Sequence, residues 1–112
     1  MVDAHVHSLS HPGEGVEAST RSAAAGGVTT IVEMPFDLTG PINTTDRIKT
    51  KRDLVENEAF VDVALMGTLA PDGGWRFAEK VSEAGAVGFK VSLFNTDPHR
   101  PLRHGLGSPG RR

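Results

Sequence analysis

Four short segments rich in β-branched and aliphatic residues recur along the chain, and a segment suited to a helix separates each from the next. The expected strands are 1–7, 28–34, 60–66 and 86–94, and the expected helices are 16–25, 44–58 and 75–84. Alternation of this kind is typical of parallel β/α units joined by right-handed crossovers. The sequence therefore predicts an α/β fold whose functional residues lie at the C-terminal ends of the strands.

The first expected strand, MVDAHVH, alternates polar and apolar residues. Because successive side chains of a strand point to opposite faces, Asp3, His5 and His7 are predicted to share one face. Two imidazoles two residues apart can direct ring nitrogens at one metal ion, and imidazole suits zinc and related ions. Pairs of this kind also occur by chance, so on these residues alone a metal site and ordinary surface histidines are both open.

The fourth expected strand carries a lysine among apolar residues. Gly88, Lys90 and Ser92 would share one face, and Phe89 and Val91 the opposite, packed face. Burial of an ammonium group is costly unless other groups offset the cost. One interpretation is a functional lysine, which as a neutral amine adds carbon dioxide to form an anionic carbamate. The other is an ordinary lysine whose charged end reaches solvent.

Length and cysteine content restrict the function classes. The chain has 112 residues, and a complete (β/α)8 barrel needs roughly 250. It has no cysteine, so a metal would be held by histidine, carboxylate or a modified side chain. No segment approaches the roughly 20 apolar residues of a membrane helix, and the N-terminus lacks the features of a signal peptide. We therefore expect a cytoplasmic protein that does not bind membranes.

Charge is distributed unevenly along the chain. Residues 1–96 contain 8 basic and 13 acidic residues, whereas the last 16 residues contain 4 basic residues and 1 acidic residue. This basic end has no aromatic residue for base stacking and no helical periodicity, so nucleic-acid binding is not expected. Because it is rich in proline, glycine and arginine, 97–112 is predicted to be a disordered tail beside a domain formed by 1–96.

Three segments carry a resemblance to a known family: 1–7, 23–35 and 87–90. In this order and at this spacing they resemble the first half of the cyclic-amide amidohydrolases, the superfamily of allantoinases, dihydroorotases and hydantoinases. The resemblance spans about residues 1–96. It implies the first four β/α units of a TIM (β/α)8 barrel of the metal-dependent hydrolase type.

The resemblance also implies roles for individual residues. His5 and His7 would be metal ligands, and Lys90 would be the carboxylated ligand that bridges two divalent ions, expected to be zinc. Asp3, just before the histidines, would support them without binding the metal. His11, in the first loop, would contact the substrate.

The resemblance leaves other roles unfilled. The family has two further histidine ligands on its fifth and sixth strands and a general-base aspartate on its eighth. These lie beyond the fourth strand, so no residue of this chain is assigned as the catalytic base. His99 and His104, in the expected tail, are not predicted to replace them.

The activity implied is hydrolysis of a small cyclic amide or ureide by metal-activated water. Dihydroorotases typically carry an arginine shortly after the second histidine, whereas this loop reads SLSHPG. Hydantoinases place a tyrosine after the modified lysine, and this chain contains no tyrosine. The EMP ending of the second strand resembles allantoinases. An allantoinase-like activity is therefore expected, with a dihydropyrimidinase or hydantoinase as the alternative subfamily.

A function of another class is also open. Four β/α units carry only part of the family's ligand set, so the chain alone is expected to be a poor catalyst. The alternative is a non-catalytic half-barrel remnant, or a module for metal binding or assembly. The first and fourth strands of a half barrel would be open edges, which favours self-association.

Overall fold

The computed structural model describes residues 1–69 and 74–91. The strands are β1 (Val2–Val6), β2 (Thr30–Glu33), β3 (Phe36–Asp37), β4 (Gly40–Pro41), β5 (Asp62–Thr68) and β6 (Ala86–Lys90). The helices are α1 (Val16–Ala25), α2 (Thr45–Glu58) and α3 (Ala78–Glu83), and a 3₁₀ turn at Gly74–Phe77 precedes α3. The expected tail, and with it His99 and His104, lies outside the described residues, as does Ser92.

The main sheet is parallel and contains β1, β2, β5 and β6 in that order. The helices pack on one another in the same succession, α1 on α2 and α2 on α3. In a doubly wound sheet the order of the strands reverses near the middle. In a (β/α)8 barrel the strands follow one another in sequence order, and the helices form one layer outside them. The structure confirms the parallel β/α prediction and shows the arrangement of the first four units of a barrel.

Local signals in the sequence set the helix ends. Thr44 Oγ1 accepts a hydrogen bond of 3.3 Å from the backbone amide of Arg47, which caps the first turn of α2. After α1, Gly27 has a φ of 84°, a left-handed conformation that glycine adopts at little cost. Both ends agree with the prediction. Within the described residues no helix is long and apolar enough to cross a membrane.

The core lies between the sheet and the helices α2 and α3. Its buried members are Ile42, Ile48, Leu65, Val81, Ala84 and Ala86. Spacing of three within the expected helix 75–84 predicts one face for Trp75, Ala78 and Val81, but Trp75 is 69% exposed. It lies in the 3₁₀ turn that precedes α3 and not in the α-helix itself.

A short hairpin follows β2 where the sequence predicts an irregular loop. It consists of β3 and β4 in antiparallel pairing, with Phe36 opposite Pro41 and Asp37 opposite Gly40. The guanidinium of Arg47 donates to the carbonyl oxygen of Thr39 at 3.0 Å and ties the hairpin to α2. The hairpin therefore holds its first two residues just beyond the C-terminal end of β2.

Candidate metal centre

The strand β1 is not regular. Asp3 pairs with Ile31 and Val6 pairs with Glu33, so three steps along β1 match two along β2. An extra residue of this kind interrupts the alternation of side chains. Asp3 therefore lies on the face of Ile31, which is the helix-covered face, and the predicted shared face with the two histidines is wrong for Asp3. Its Oδ1 accepts from the backbone amide of His5 at 3.2 Å, so its contact with His5 is through the backbone.

The two histidines do meet. Their Nε2 atoms are 3.0 Å apart, and their ring centroids are 5.0 Å apart with a tilt of 51°. Zinc binds imidazole nitrogen at roughly 2.0–2.1 Å, so two nitrogens at tetrahedral positions on one ion are about 3.3 Å apart. The Nε2 atoms of His5 and His7 thus converge on one point at nearly the separation that a shared ion requires.

Ser10 fixes the tautomer of His7. The hydroxyl of Ser10 donates its single hydrogen to the carbonyl oxygen of Phe36 at 2.7 Å. The 2.9 Å contact between Ser10 Oγ and His7 Nδ1 therefore needs Nδ1–H as the donor. This places the proton of a neutral His7 on Nδ1, the tautomer that binds a metal through Nε2. In the structure His7 Nε2 then accepts from His5 Nε2–H at 3.0 Å, a proton that His5 gives up when it binds a metal through the same atom.

Lys90 lies at the opposite edge of the sheet. From β1 to β6 there are three strand spacings, about 14 Å along a flat sheet. The Nζ atom of Lys90 is 3.9 Å from Met34 Sδ and 5.0 Å from the centre of the Phe36 ring. His7 stacks on the same ring, with centroids 6.2 Å apart and an interplanar angle of 18°. Phe36 thus contacts both the histidine side and the lysine side of the candidate centre.

His11 is placed elsewhere. It is exposed and lines a cavity of about 600 Å³, together with Leu9, Leu38 and Leu54. The cavity lies between the loop after β1, the hairpin and α2, and its described lining does not include the paired histidines. Contact between His11 and a substrate held by the histidine pair stays a prediction.

Within residues 1–69 and 74–91, no group of three or more histidine, cysteine, aspartate and glutamate side chains is arranged to hold a metal ion. His5, His7 and Lys90 as metal ligands therefore stay a prediction.

Comparison with known proteins gives the family. No family model matches the chain. The allantoinase of Streptomyces avermitilis is 40% identical in an alignment of 97 residues that covers 83% of this chain and 21% of that protein. A mitochondrial allantoinase of Aquarana catesbeiana is 36% identical in an alignment of 100 residues that covers 86% of this chain and 20% of that protein. The solved L-hydantoinase (dihydropyrimidinase) of Arthrobacter aurescens matches with a TM-score of 0.77 and 37% identity, over 87% of this chain and 22% of that one.

The chain belongs to the cyclic-amide amidohydrolases. It spans about a fifth of the length of the relatives that it matches. The resemblance and the parallel β/α fold expected from the sequence are thereby confirmed.

Behind the histidine pair, this amidohydrolase chain buries an ion cluster that the sequence analysis missed. The side chains of Glu33, Lys51 and Asp37 are 1%, 2% and 6% exposed. Lys51 Nζ lies 2.6 Å from Asp37 Oδ1 and 3.2 Å from Glu33 Oε1, and donates to the carbonyl oxygen of Met34 at 3.0 Å. Burial raises the pKa of the Asp37 carboxyl above its ordinary value of 3.8, and Lys51 offsets only part of this rise.

The cluster reaches the histidine strand through Glu33. Both carboxylate oxygens accept from the backbone amide of Ser8, at 3.1 and 3.0 Å. Two signals in the amidohydrolase sequence point to the cluster. Glu33 is two residues after Ile31 and so lies on the same buried face of β2. Lys51 is three residues after the buried Ile48, on the same side of α2.

Proposed function

We propose that the chain supplies part of the metal centre of a hydrolase that opens cyclic amides, with an allantoin-like ureide as the substrate. One observation carries the proposal: the Nε2 atoms of His5 and His7 are 3.0 Å apart, and the contact of His7 Nδ1 with Ser10 turns its Nε2 towards His5. The family of the chain supports it, because allantoinases are among the relatives that it matches.

The residues fit a divalent ion such as zinc, since imidazole nitrogen is a preferred zinc ligand. When bound, such an ion polarises a carbonyl group and lowers the pKa of water. In this chain His5 and His7 provide the nitrogen ligands. Ser10 holds the His7 proton on Nδ1, away from the ligand atom. No described residue is assigned to transfer the proton to the leaving nitrogen.

Lys90 is proposed to act after modification. Its neutral amine would attack carbon dioxide: an N–C bond forms as one C–O π bond breaks, and the proton released goes to solvent. The product is an anionic carbamate whose oxygens would be ligands for divalent ions. In the present arrangement the amine lies over the Phe36 ring as a cation. The face of an aromatic ring is negative and repels an anion. Carbamate formation therefore requires Lys90 to leave the face of Phe36.

The experiment measures zinc content and the opening of allantoin, hydantoin and dihydroorotate. It compares the wild-type chain with a His5→Ala/His7→Ala variant and with His11→Ala as the matched control. We expect zinc in the wild type and in the control, and none in the double variant. Because no described residue is assigned to the proton transfer, we expect only slow turnover, with allantoin opened in preference to the other two rings. A folded wild-type chain without zinc, or a double variant that retains it, would contradict the proposal.

The alternative function is a metal-binding half barrel that assembles with a second copy of the chain. It is favoured by exposed apolar residues on both edge strands, Val2 at 61% and Val87 at 65%. Light scattering on the zinc-loaded chain separates the two functions. A dimer that binds zinc without opening any of the three rings would support assembly, and a monomer that opens allantoin would support the hydrolase.

A further inference from the structure

We infer that the buried cluster of Glu33, Lys51 and Asp37 positions His7, fixing both the direction of its ring and its tautomer. The inference rests on the proposed metal-binding role of the histidines. It assigns a function to three buried ionisable groups that the proposed chemistry does not use.

Two connections lead from the cluster to His7. In the first, the carboxylate of Glu33 accepts from the backbone amide of Ser8, the residue that follows His7. Because both carboxylate oxygens lie within 3.1 Å of that nitrogen, the peptide after His7 is held in one orientation. The first connection therefore sets the backbone from which the imidazole projects.

The second connection sets the ring itself. Asp37 is fixed by Lys51 at 2.6 Å, and the residue before it, Phe36, offers its carbonyl oxygen to Ser10. Ser10 in turn accepts from His7 Nδ1. Any movement of the start of the hairpin is thus transmitted to the acceptor that decides which nitrogen of His7 carries the proton.

Lys51 joins the two connections. It contacts both carboxylates and also donates to the carbonyl oxygen of Met34, at the end of β2. The end of β2 and the start of the hairpin are therefore held against one ammonium group, and Glu33 joins the loop after β1 to them. Ser8 and Ser10 are on that loop, and Phe36 is on the hairpin.

Stability alone does not account for the cluster. Two carboxylates and one ammonium are taken out of water, and well-packed apolar residues in such places are often as stabilising or more so. What apolar residues cannot supply is a directed acceptor for the Ser8 amide. The groups around a metal ligand that orient its ring typically change metal affinity by about 10- to 100-fold when they are replaced.

The test uses Glu33→Gln and Lys51→Met in the full chain. Nitrogen-15 NMR of the His7 ring, without metal and at mildly alkaline pH, reports the tautomer. Titration with cobalt(II), followed by its visible absorption, reports metal affinity. We expect a single Nδ1–H tautomer in the wild type, a mixture in both variants, and affinities lower by about 10- to 100-fold.

Two control variants separate positioning from general destabilisation. Val81→Ala removes core packing far from the loop, and Ser19→Ala removes the 2.9 Å contact from Ser8 Oγ to α1 while leaving the Ser8 amide in place. Both should keep the wild-type tautomer and cobalt affinity. If either of the cluster variants does not fold, Glu33→Asp keeps all three charges and withdraws the carboxylate from Ser8, and the same mixture of tautomers is expected.

The outcomes are distinct. Folded cluster variants that keep the single tautomer and the wild-type affinity would overturn the positioning role, as would a wild type without a single tautomer. A wild type that binds no cobalt, but whose tautomer is lost in the cluster variants, would overturn the proposed metal function and support the positioning role.

Discussion

Lys51 and Lys90 both lie near the C-terminal end of the sheet, in contrasting surroundings. Lys51 is buried and contacts three oxygen acceptors, on Asp37, Glu33 and Met34. Lys90 is half-buried, and its contacts are a thioether and an aromatic face. Loss of the Lys51 charge would leave two buried carboxylates without a counter-charge, whereas loss of the Lys90 charge gives up a cation–π contact. The lysine with the weaker partners, Lys90, is the one for which carboxylation is proposed.

The largest effect is expected from removing each lysine in turn. Lys51→Met should lower the free energy of unfolding by about 3–5 kcal/mol, because it breaks a buried ion cluster. Lys90→Met, the matched control, should lower it by about 1 kcal/mol or less, the usual range for a partly exposed cation–π contact. Urea denaturation measures both. Equal losses would show that the two lysines do not differ as their contacts indicate.

The next largest difference expected between the two lysines is in carbamate formation. With carbon-13 bicarbonate, NMR should show a carbamate on Lys90 and none on Lys51, and Lys90→Met should abolish the signal. Phe36→Leu removes the ring that favours the ammonium form, so it should increase the modified fraction about two- to fivefold. A carbamate signal that persists in Lys90→Met would place the modification on another amine.

The pH dependence of stability tests the acidic side of the cluster. The pKa of Asp37 is raised in the folded state, mainly by burial, so between pH 3.8 and the folded pKa the folded chain holds more protons than the unfolded chain. The contribution of Asp37 to stability is therefore complete below pH 3.8 and falls as the pH rises through the folded pKa. The difference in unfolding free energy between wild type and Asp37→Asn should decrease over this window. If the difference in unfolding free energy instead increases with pH, the pKa of Asp37 is lowered in the folded chain and not raised.

The smallest effect is expected at a surface ion pair. Arg52 Nε lies 3.4 Å from Glu56 Oε1 on α2, and both side chains are more than half exposed. Water and salt screen such pairs, so Glu56→Gln should change the unfolding free energy by about 0.5 kcal/mol or less. A change as large as that of Lys51→Met would mean that burial does not distinguish the two ion pairs.

The sequence predicts the parts of the fold that depend on local patterns. The bounds of α1 are as predicted, and α2 begins after the Thr44 cap, because caps, glycine and apolar periodicity act within a few residues. The convergence of His5 and His7 was also predictable, since residues two apart on a strand point to the same face. Asp3 was misplaced because pairing with β2, and not the β1 sequence, sets that irregularity.

The buried cluster could be predicted only in part. Glu33 lies on the buried face of β2 and Lys51 on the buried face of α2, so each charge is expected to have a partner in the interior. That they are partners of each other, and of Asp37, depends on how α2 and the hairpin fold against β2. Residue spacing also gives no sign that the helix expected at 75–84 begins as a 3₁₀ turn with Trp75 exposed.

The order of strands has a mechanical consequence. His5 and His7 are on one edge of the sheet and Lys90 is on the other, about 14 Å away if the sheet were flat. The sheet is not flat, because Lys90 Nζ and the His7 ring lie 5.0 Å and 6.2 Å from the centre of the same Phe36 ring. Under the proposed function, in which both edges supply ligands, the curvature of the barrel wall sets the distance between them, and variants that change the curvature of β2 and β5 would change metal affinity without touching a ligand.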